Sequence, residues 1–251
     1  YDEMADEMIV YAGSSSSNGA SFRPLSDIRA LNLQSLQWRQ VEDSPPRPVA
    51  RLFHSAAIDA EGRTLYMYGG GDERAFFGPF FGDLWALNLD SGQWTKLYDP
   101  ADGDTGGPEP RIWATITWDQ PSGKVFLFGG HDDGVVGNQN DTWAFDPSSM
   151  QWREIIGPET VNTPANGFCD FPKDFVIPNL DAPDRRASHL AVLDDTRGEW
   201  VVFGGKTDCG VIDDVWAFDL ERQAWVRLLE STSGEACIRG ENPDACIAMC
   251  Q

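Results

Sequence analysis

Three histidines, five cysteines and forty carboxylates are the side chains of this 251-residue sequence that could hold a metal or move a proton. Catalysis needs several such groups to converge on one point. His54 and His189 each stand three residues after an arginine, Arg51 and Arg186, in a pattern that recurs along the chain, so both read as structural. His131 sits beside Asp132 and Asp133 and reads as a lone surface histidine. The acidic pairs, "DGD" at 102–104, Asp132–Asp133 and Asp213–Asp214, offer hard oxygen ligands of the kind calcium takes. No twelve-residue calcium loop frames them, and they read as solvated turns. Neither a G-x-S-x-G elbow nor a P-loop is present. The chemistry-bearing residues therefore predict no enzyme, no cofactor and no metal.

The cysteines point elsewhere. Cys237, Cys246 and Cys250 lie in a tail, "GEACIRGENPDACIAMCQ", with neither the histidines nor the paired C-x2-C of structural zinc. Cysteines clustered in loops and a tail suit disulfides in an oxidising compartment. Their odd number leaves one partner elsewhere, in another segment or another chain. A formal charge of −21 repels phosphate backbones and anionic membranes, which argues against nucleic acid as a partner. No run approaches the roughly 20 apolar residues that span a bilayer. Residue 1 is Tyr, so the start reads as processed or as lying outside the sequence. Together these features predict an extracellular protein, secreted or at the cell surface.

The elements that position these residues follow from repetition. Three apolar runs end in a glycine pair: "LYMYGG" (Gly69, Gly70), "VFLFGG" (Gly129, Gly130) and "WVVFGG" (Gly204, Gly205), with "IVYAGS" at 9–14 as a worn copy. Asp27, Asp83, Asp141 and Asp214 each stand eleven residues before Trp38, Trp94, Trp152 and Trp225. Trp85, Trp143 and Trp216 recur nine residues before the closing tryptophan, where the first copy has Arg29. Upstream, Arg51, Arg111 and Arg186 precede Asp59, Asp119 and Asp194 by eight residues, and each first glycine follows ten later. Each unit reads as four short strands joined within pairs by tight polar turns.

These residues resemble the kelch repeat over roughly residues 8–230. The resemblance implies an all-β, kelch-type β-propeller of four-stranded blades around a central channel. Residues 1–50 would be a partial first blade with its linker, and 51–110, 111–185 and 186–231 complete blades; 232–251 would be a Cys-rich tail. The glycine pair would permit a sharp turn where a Cβ would clash. The tryptophans would pack between blades, and the arginines with His54 and His189 would anchor the innermost strand. Three complete units are fewer than a kelch propeller usually has, so the chain reads as a segment of a longer propeller. A closed four-bladed ring, its missing strand donated by the tail, is the alternative.

In such blades the variable connections emerge on one face, as expected where loops carry function. That face includes "GDERAFFGPFFG" at 71–82, whose Phe76, Phe77, Phe80 and Phe81 follow no strand or helix period. It also includes the insertion 153–185 with Phe168, Phe171 and Phe175. Two roles fit them: capping the channel, or anchoring a protein partner. Cys169 and Cys209, both on that face, are expected to form a loop-fixing disulfide. Asn140 begins an N-x-T sequon, so a glycan is expected there in a secreted eukaryotic chain. Among kelch-fold enzymes, the copper set of galactose oxidase (two histidines, two tyrosines, a cross-linked cysteine) finds no match, nor does the motif of iron-dependent specifier proteins. The expected function is thus a non-catalytic interaction or assembly module, binding protein partners in an extracellular assembly. The rival is a carbohydrate-binding or carbohydrate-active propeller of galactose-oxidase-like type using Trp113 or Trp118, of which strand alternation lets at most one line a channel.

Overall fold

A computed structural model describes residues 1–16, 21–75, 77–132, 137–158, 181–207 and 210–232. The apolar runs form antiparallel sheets in which chain neighbours are sheet neighbours. The first blade holds β1 (Glu7–Tyr11), β2 (Ile28–Asn32) and β3 (Trp38–Gln40). The second holds β4 (Ser55–Asp59), β5 (Thr64–Gly71), β6 (Phe80–Asn88) and β7 (Gln93–Tyr98). In the third are β8 (Thr115–Asp119), β9 (Lys124–Phe128), β10 (Thr142–Asp146) and β11 (Gln151–Ile156). The fourth has β12 (Leu190–Asp194), β13 (Glu199–Thr207), β14 (Gly210–Asp219) and β15 (Ala224–Leu229), with Arg186–Ala187 also pairing on β13.

Strand alternation sends successive side chains to opposite faces, and here both faces are covered by neighbouring blades. Leu65, Met67, Trp85 and Trp94 join Tyr11, Ile28 and Ala30 between the first and second blades. Tyr66, Tyr68 and Tyr98 join Val125, Leu127 and Trp152 between the second and third. Phe126 and Phe128 join Trp200, Val202 and Trp225 between the third and fourth. That is why the runs are apolar without interruption. Each closing tryptophan meets the last aromatic of the preceding blade's second strand: Trp94 with Tyr11 at 5.4 Å, Trp152 with Tyr68 at 5.8 Å, Trp225 with Phe128 at 4.7 Å between ring centres.

The glycine pairs sit where the next blade docks. Gly69 and Gly70 have φ of 68° and 102°, and a Cβ on Gly69 would stand 2.7 Å from the carbonyl oxygen of Arg111. That same oxygen accepts the Gly70 N–H at 3.0 Å, just as Arg186 accepts from Gly130 at 2.9 Å. In the worn first copy Ala12 holds φ 56° and Gly13 φ 101°, and the matching bond to Arg51 lengthens to 3.3 Å. A left-handed alanine is strained. Ala12→Gly is therefore expected to stabilise the fold by about 0.5–1 kcal/mol; a lower urea midpoint than wild type would contradict this.

No strand precedes β1 in the first blade among the described residues; Asp2 alone forms an isolated bridge with Glu7 and caps the turn by accepting from the Met4 and Ala5 N–H, as Asp59 accepts from Gly62. The tail at 233–251, whose strand the closed four-bladed alternative requires, lies outside the described residues. Met8, Val10 and Trp38 on the first blade, and Leu190, Val192, Phe203 and Leu229 on the fourth, are exposed at positions that are covered between inner blades.

Candidate functional site

The loop-bearing face rests on a buried polar frame. In each complete blade the arginine before the inner strand forks onto an aspartate in or just before the third strand. Arg111 Nη1 and Nη2 reach Asp141 Oδ1 and Oδ2 at 2.5 and 2.9 Å, and Nη1 also donates to Gly129 O at 3.0 Å. Arg51–Asp83–Gly69 and Arg186–Asp214–Gly204 repeat this geometry. The indoles of Trp85, Trp143 and Trp216 donate to the same aspartates. One network thus ties inner strand, glycine pair, third strand and first tryptophan together, which accounts for their fixed spacing.

His54 and His189 pack edge-on against aromatics of the preceding blade, Tyr11 and Phe128, each at 5.1 Å. His189 Nε2 meets Thr115 Oγ1 at 2.7 Å, whereas His54 is held by its aromatic contact with Tyr11. Loss of hydration, with nearby arginines, pulls His54 down to about 4 and His189 to about 3. Unfolded imidazoles take a proton near pH 6.5 while these do not. Stability is therefore whole above that pH and falls below it, by roughly 2 kcal/mol per histidine at pH 5. Asp184, raised to about 6 by burial, acts oppositely and returns roughly 1 kcal/mol over that interval. The expected net loss from pH 7.5 to 5.0 is about 3 kcal/mol in denaturant unfolding; constant or rising stability would refute it.

At the loop-side mouth of the channel, Phe53, Trp113 and Ser188, each two residues after the framing arginine, have φ of 62°, 57° and 55°. The Trp113 N–H donates to Phe53 O at 2.9 Å and the Ser188 N–H to Trp113 O at 3.3 Å, so the blades are stitched at this level. Half-buried rings run across it, Phe22 to Phe53 at 5.9 Å and Phe53 to Trp113 at 4.9 Å, and Trp113 meets the buried His131 at 6.1 Å.

Residues 3–171 match the family described as the KLHDC2/KLHL20/DRC7 Kelch-repeats domain. The chain belongs to the kelch-repeat family. Its relatives include Tip elongation aberrant protein 3 of Schizosaccharomyces pombe, 27% identical over 80% of this chain and 17% of that protein. Multiple epidermal growth factor-like domains protein 8 of Homo sapiens is 30% identical over 49% of the chain and 4% of its own length. Host cell factor of Drosophila melanogaster is 27% identical over 70% and 11%. The chain therefore spans less than a fifth of each of these proteins. Kelch domains are in general protein-interaction modules.

In this kelch domain the aromatic loop residues part company. Phe77 is 78% exposed. Phe80 and Phe81 are not loop residues: they open β6, with Phe80 buried and Phe81 beneath the Arg51 guanidinium at 4.5 Å. Phe76, Phe168, Phe171, Phe175, Cys169, Cys209, Cys237, Cys246 and Cys250 lie outside the described residues. His131 is corrected from surface to core, its Nδ1 3.0 Å from Asn138 Oδ1. Asn140 is likewise buried, and its Nδ2, the atom a glycan would be joined to, donates to Pro183 O at 3.2 Å, which removes the basis for glycosylation there. Nor are the acidic pairs all solvated turns. Asp132 and Asp214 are buried and Asp213 accepts from Ser231 and Thr232, while Asp102 pairs with Lys96.

Trp118 stacks on Tyr66 at 5.1 Å and lines a cleft of about 710 Å³ between the inner strands, toward the short turns. Carboxylates there include Asp119, which caps its own turn through the Ser122 N–H. Trp113 owes its direction to a left-handed backbone just outside the strand, so the alternation rule never applied to it. Among the described residues no three His, Cys, Asp or Glu side chains are grouped as metal ligands.

Proposed function

We propose that this kelch domain binds a protein partner through its loop-bearing face, using the mouth formed by Phe22, Phe53 and Trp113 and the exposed loop residue Phe77. The observation that carries this is Ser188. It holds the same backbone conformation as Phe53 and Trp113, so the fold needs the left-handed turn but not a ring there. Partly exposed aromatics on a rigid frame are the usual anchors of an interface. The test is capture of partners by the full chain, comparing wild type with Phe77→Ser and Trp113→Ser. Both variants should keep their melting temperature within a few degrees and lose the partner. Equal capture by folded variants would sink the proposal. A carbohydrate ligand is the second reading, favoured by the half-exposed Trp113; glycan retention lost in Trp113→Ser with protein capture unchanged would put it first.

An extracellular, oxidised setting forms part of this reading, supported by the charge of −21 and five cysteines. Alkylation before and after reduction counts the free thiols; five alkylated without reduction would remove it.

A further inference from the structure

Three residues at the mouth occupy one repeat position. Phe53, Trp113 and Ser188 share a left-handed backbone, with φ of 62°, 57° and 55°, and each later one donates its N–H to the carbonyl of the one before. Their side chains therefore leave the frame in the same direction, one blade further on at each step. The first step is filled by ring on ring, Phe53 to Trp113 at 4.9 Å with the planes inclined by 47°. A ring at 188 would meet Trp113 in the same way. Serine stands there instead, exposed, and its hydroxyl has no hydrogen-bond partner among the described residues. The floor of this gap is fixed, because His189 Nε2 meets Thr115 Oγ1 at 2.7 Å and ties the inner strand of the fourth blade to that of the third. Both blades carry a complete arginine frame, so the gap belongs to an inner seam.

We infer that this gap receives an arginine side chain of the protein partner, its guanidinium lying on the Trp113 ring and donating to Ser188 Oγ. The inference rests on the loop-face reading and names the chemistry that this face selects. A planar group fits the gap, since the equivalent place one blade earlier holds an indole against a phenyl ring. Among planar side chains, charge favours arginine, because a chain of −21 attracts a cation. The hydroxyl is a second reason, for it can accept an N–H, and a phenyl ring has none to give. Guanidinium on ring is already a packing mode of this chain, with Arg51 over Phe81 at 4.5 Å and Arg227 over Trp216 at 5.7 Å. Lysine fits less well, because a compact ammonium does not cover a ring as a flat guanidinium does.

The probe is a random-peptide display library panned on the full chain, with Trp113→Ser as the counter-target. Peptides that bind wild type and not Trp113→Ser are expected to share an arginine. One of them is then synthesised, labelled with fluorescein and titrated with the full chain by anisotropy. Citrulline in place of its arginine keeps the planar group without the charge and should weaken binding about two- to thirtyfold, the range of a cation–π contact. Lysine should recover only part. Ser188→Phe fills the gap with the ring that Phe53 already carries on the same backbone. It should keep its melting temperature within a few degrees and bind the peptide at least about tenfold more weakly, as a clash built into the site requires. The peptide variants leave the protein untouched, so a folding defect in Ser188→Phe cannot obscure the answer. Trp113-dependent peptides without arginine, or equal binding by the citrulline peptide or by folded Ser188→Phe, would overturn the inference and leave the loop face standing as a binding surface. A library that yields no Trp113-dependent peptide would overturn the inference and the loop-face reading together.

Discussion

Replacing Arg111 by alanine is expected to destabilise the domain by about 3–5 kcal/mol, the cost of leaving one half of a buried ion pair alone. With total stabilities of roughly 5–15 kcal/mol, that is enough to unfold a marginal domain. The side chain is fully buried, its Nε and Nη1 also hold the carbonyls of Glu109 and Gly129, and its own carbonyl receives the Gly70 N–H of the blade before it. Removing the guanidinium strands two carbonyls and Asp141, which is left with the Trp143 indole as a donor but no cation. The double replacement Arg111→Met with Asp141→Leu should cost clearly less than the sum of the single changes, because no lone charge stays buried. Arg29→Ala in the first blade removes a pair that water reaches and should change stability by at most about 1 kcal/mol. Urea unfolding of wild type, these variants and the two single changes of the double replacement checks the series. Equal losses at Arg29 and Arg111 would mean that burial does not set the worth of these pairs.

The contrast shows why the fold was legible. Arginine, aspartate, glycine pair and tryptophan keep identical spacings because they touch one another in every complete blade, so the pattern records contacts. What it hid were places where one contact is replaced by another. Arg29 looks like a lost tryptophan, yet it makes the tryptophan's bond to the carboxylate. Ala12 looks like a decayed glycine, yet it keeps the glycine's conformation. Asp2 was legible in principle, since it stands ten residues before Ala12, as Asp59 does before Gly69. The candidate site was less readable. Nothing local marks Phe80 as buried and Phe77 as exposed, because that depends on where Gly71 and Ile112 lie beside the strand. His131 and Asn140 lie among polar neighbours in sequence, and it is the chain near Pro183 that buries the latter.

Trp152→Ala is expected to cost about 3–5 kcal/mol and to lower the melting temperature by roughly 6–20 °C, while Trp38→Ala at the same repeat position should move it by only about 1–2 °C. The difference is the neighbour. Trp152 is buried between Tyr68 and Tyr98 of the second blade and Phe145 of its own, with ring centres 5.8, 6.3 and 5.2 Å away. Trp38 is 52% exposed. A finer test separates ring from indole nitrogen. Trp94 donates to Asp43 at 2.9 Å and Trp225 to Thr142 at 3.0 Å, whereas Trp152 Nε1 is buried with no partner among the described residues. An unpaired buried donor is already a penalty in the native state. Trp152→Phe should then be the mildest of the three phenylalanine replacements, since it gives up volume and a liability together, while the other two give up volume and a bond. If Trp152→Phe proved the costliest, ring volume alone would govern the seam between blades and the hydrogen bonds of its neighbours would count for nothing.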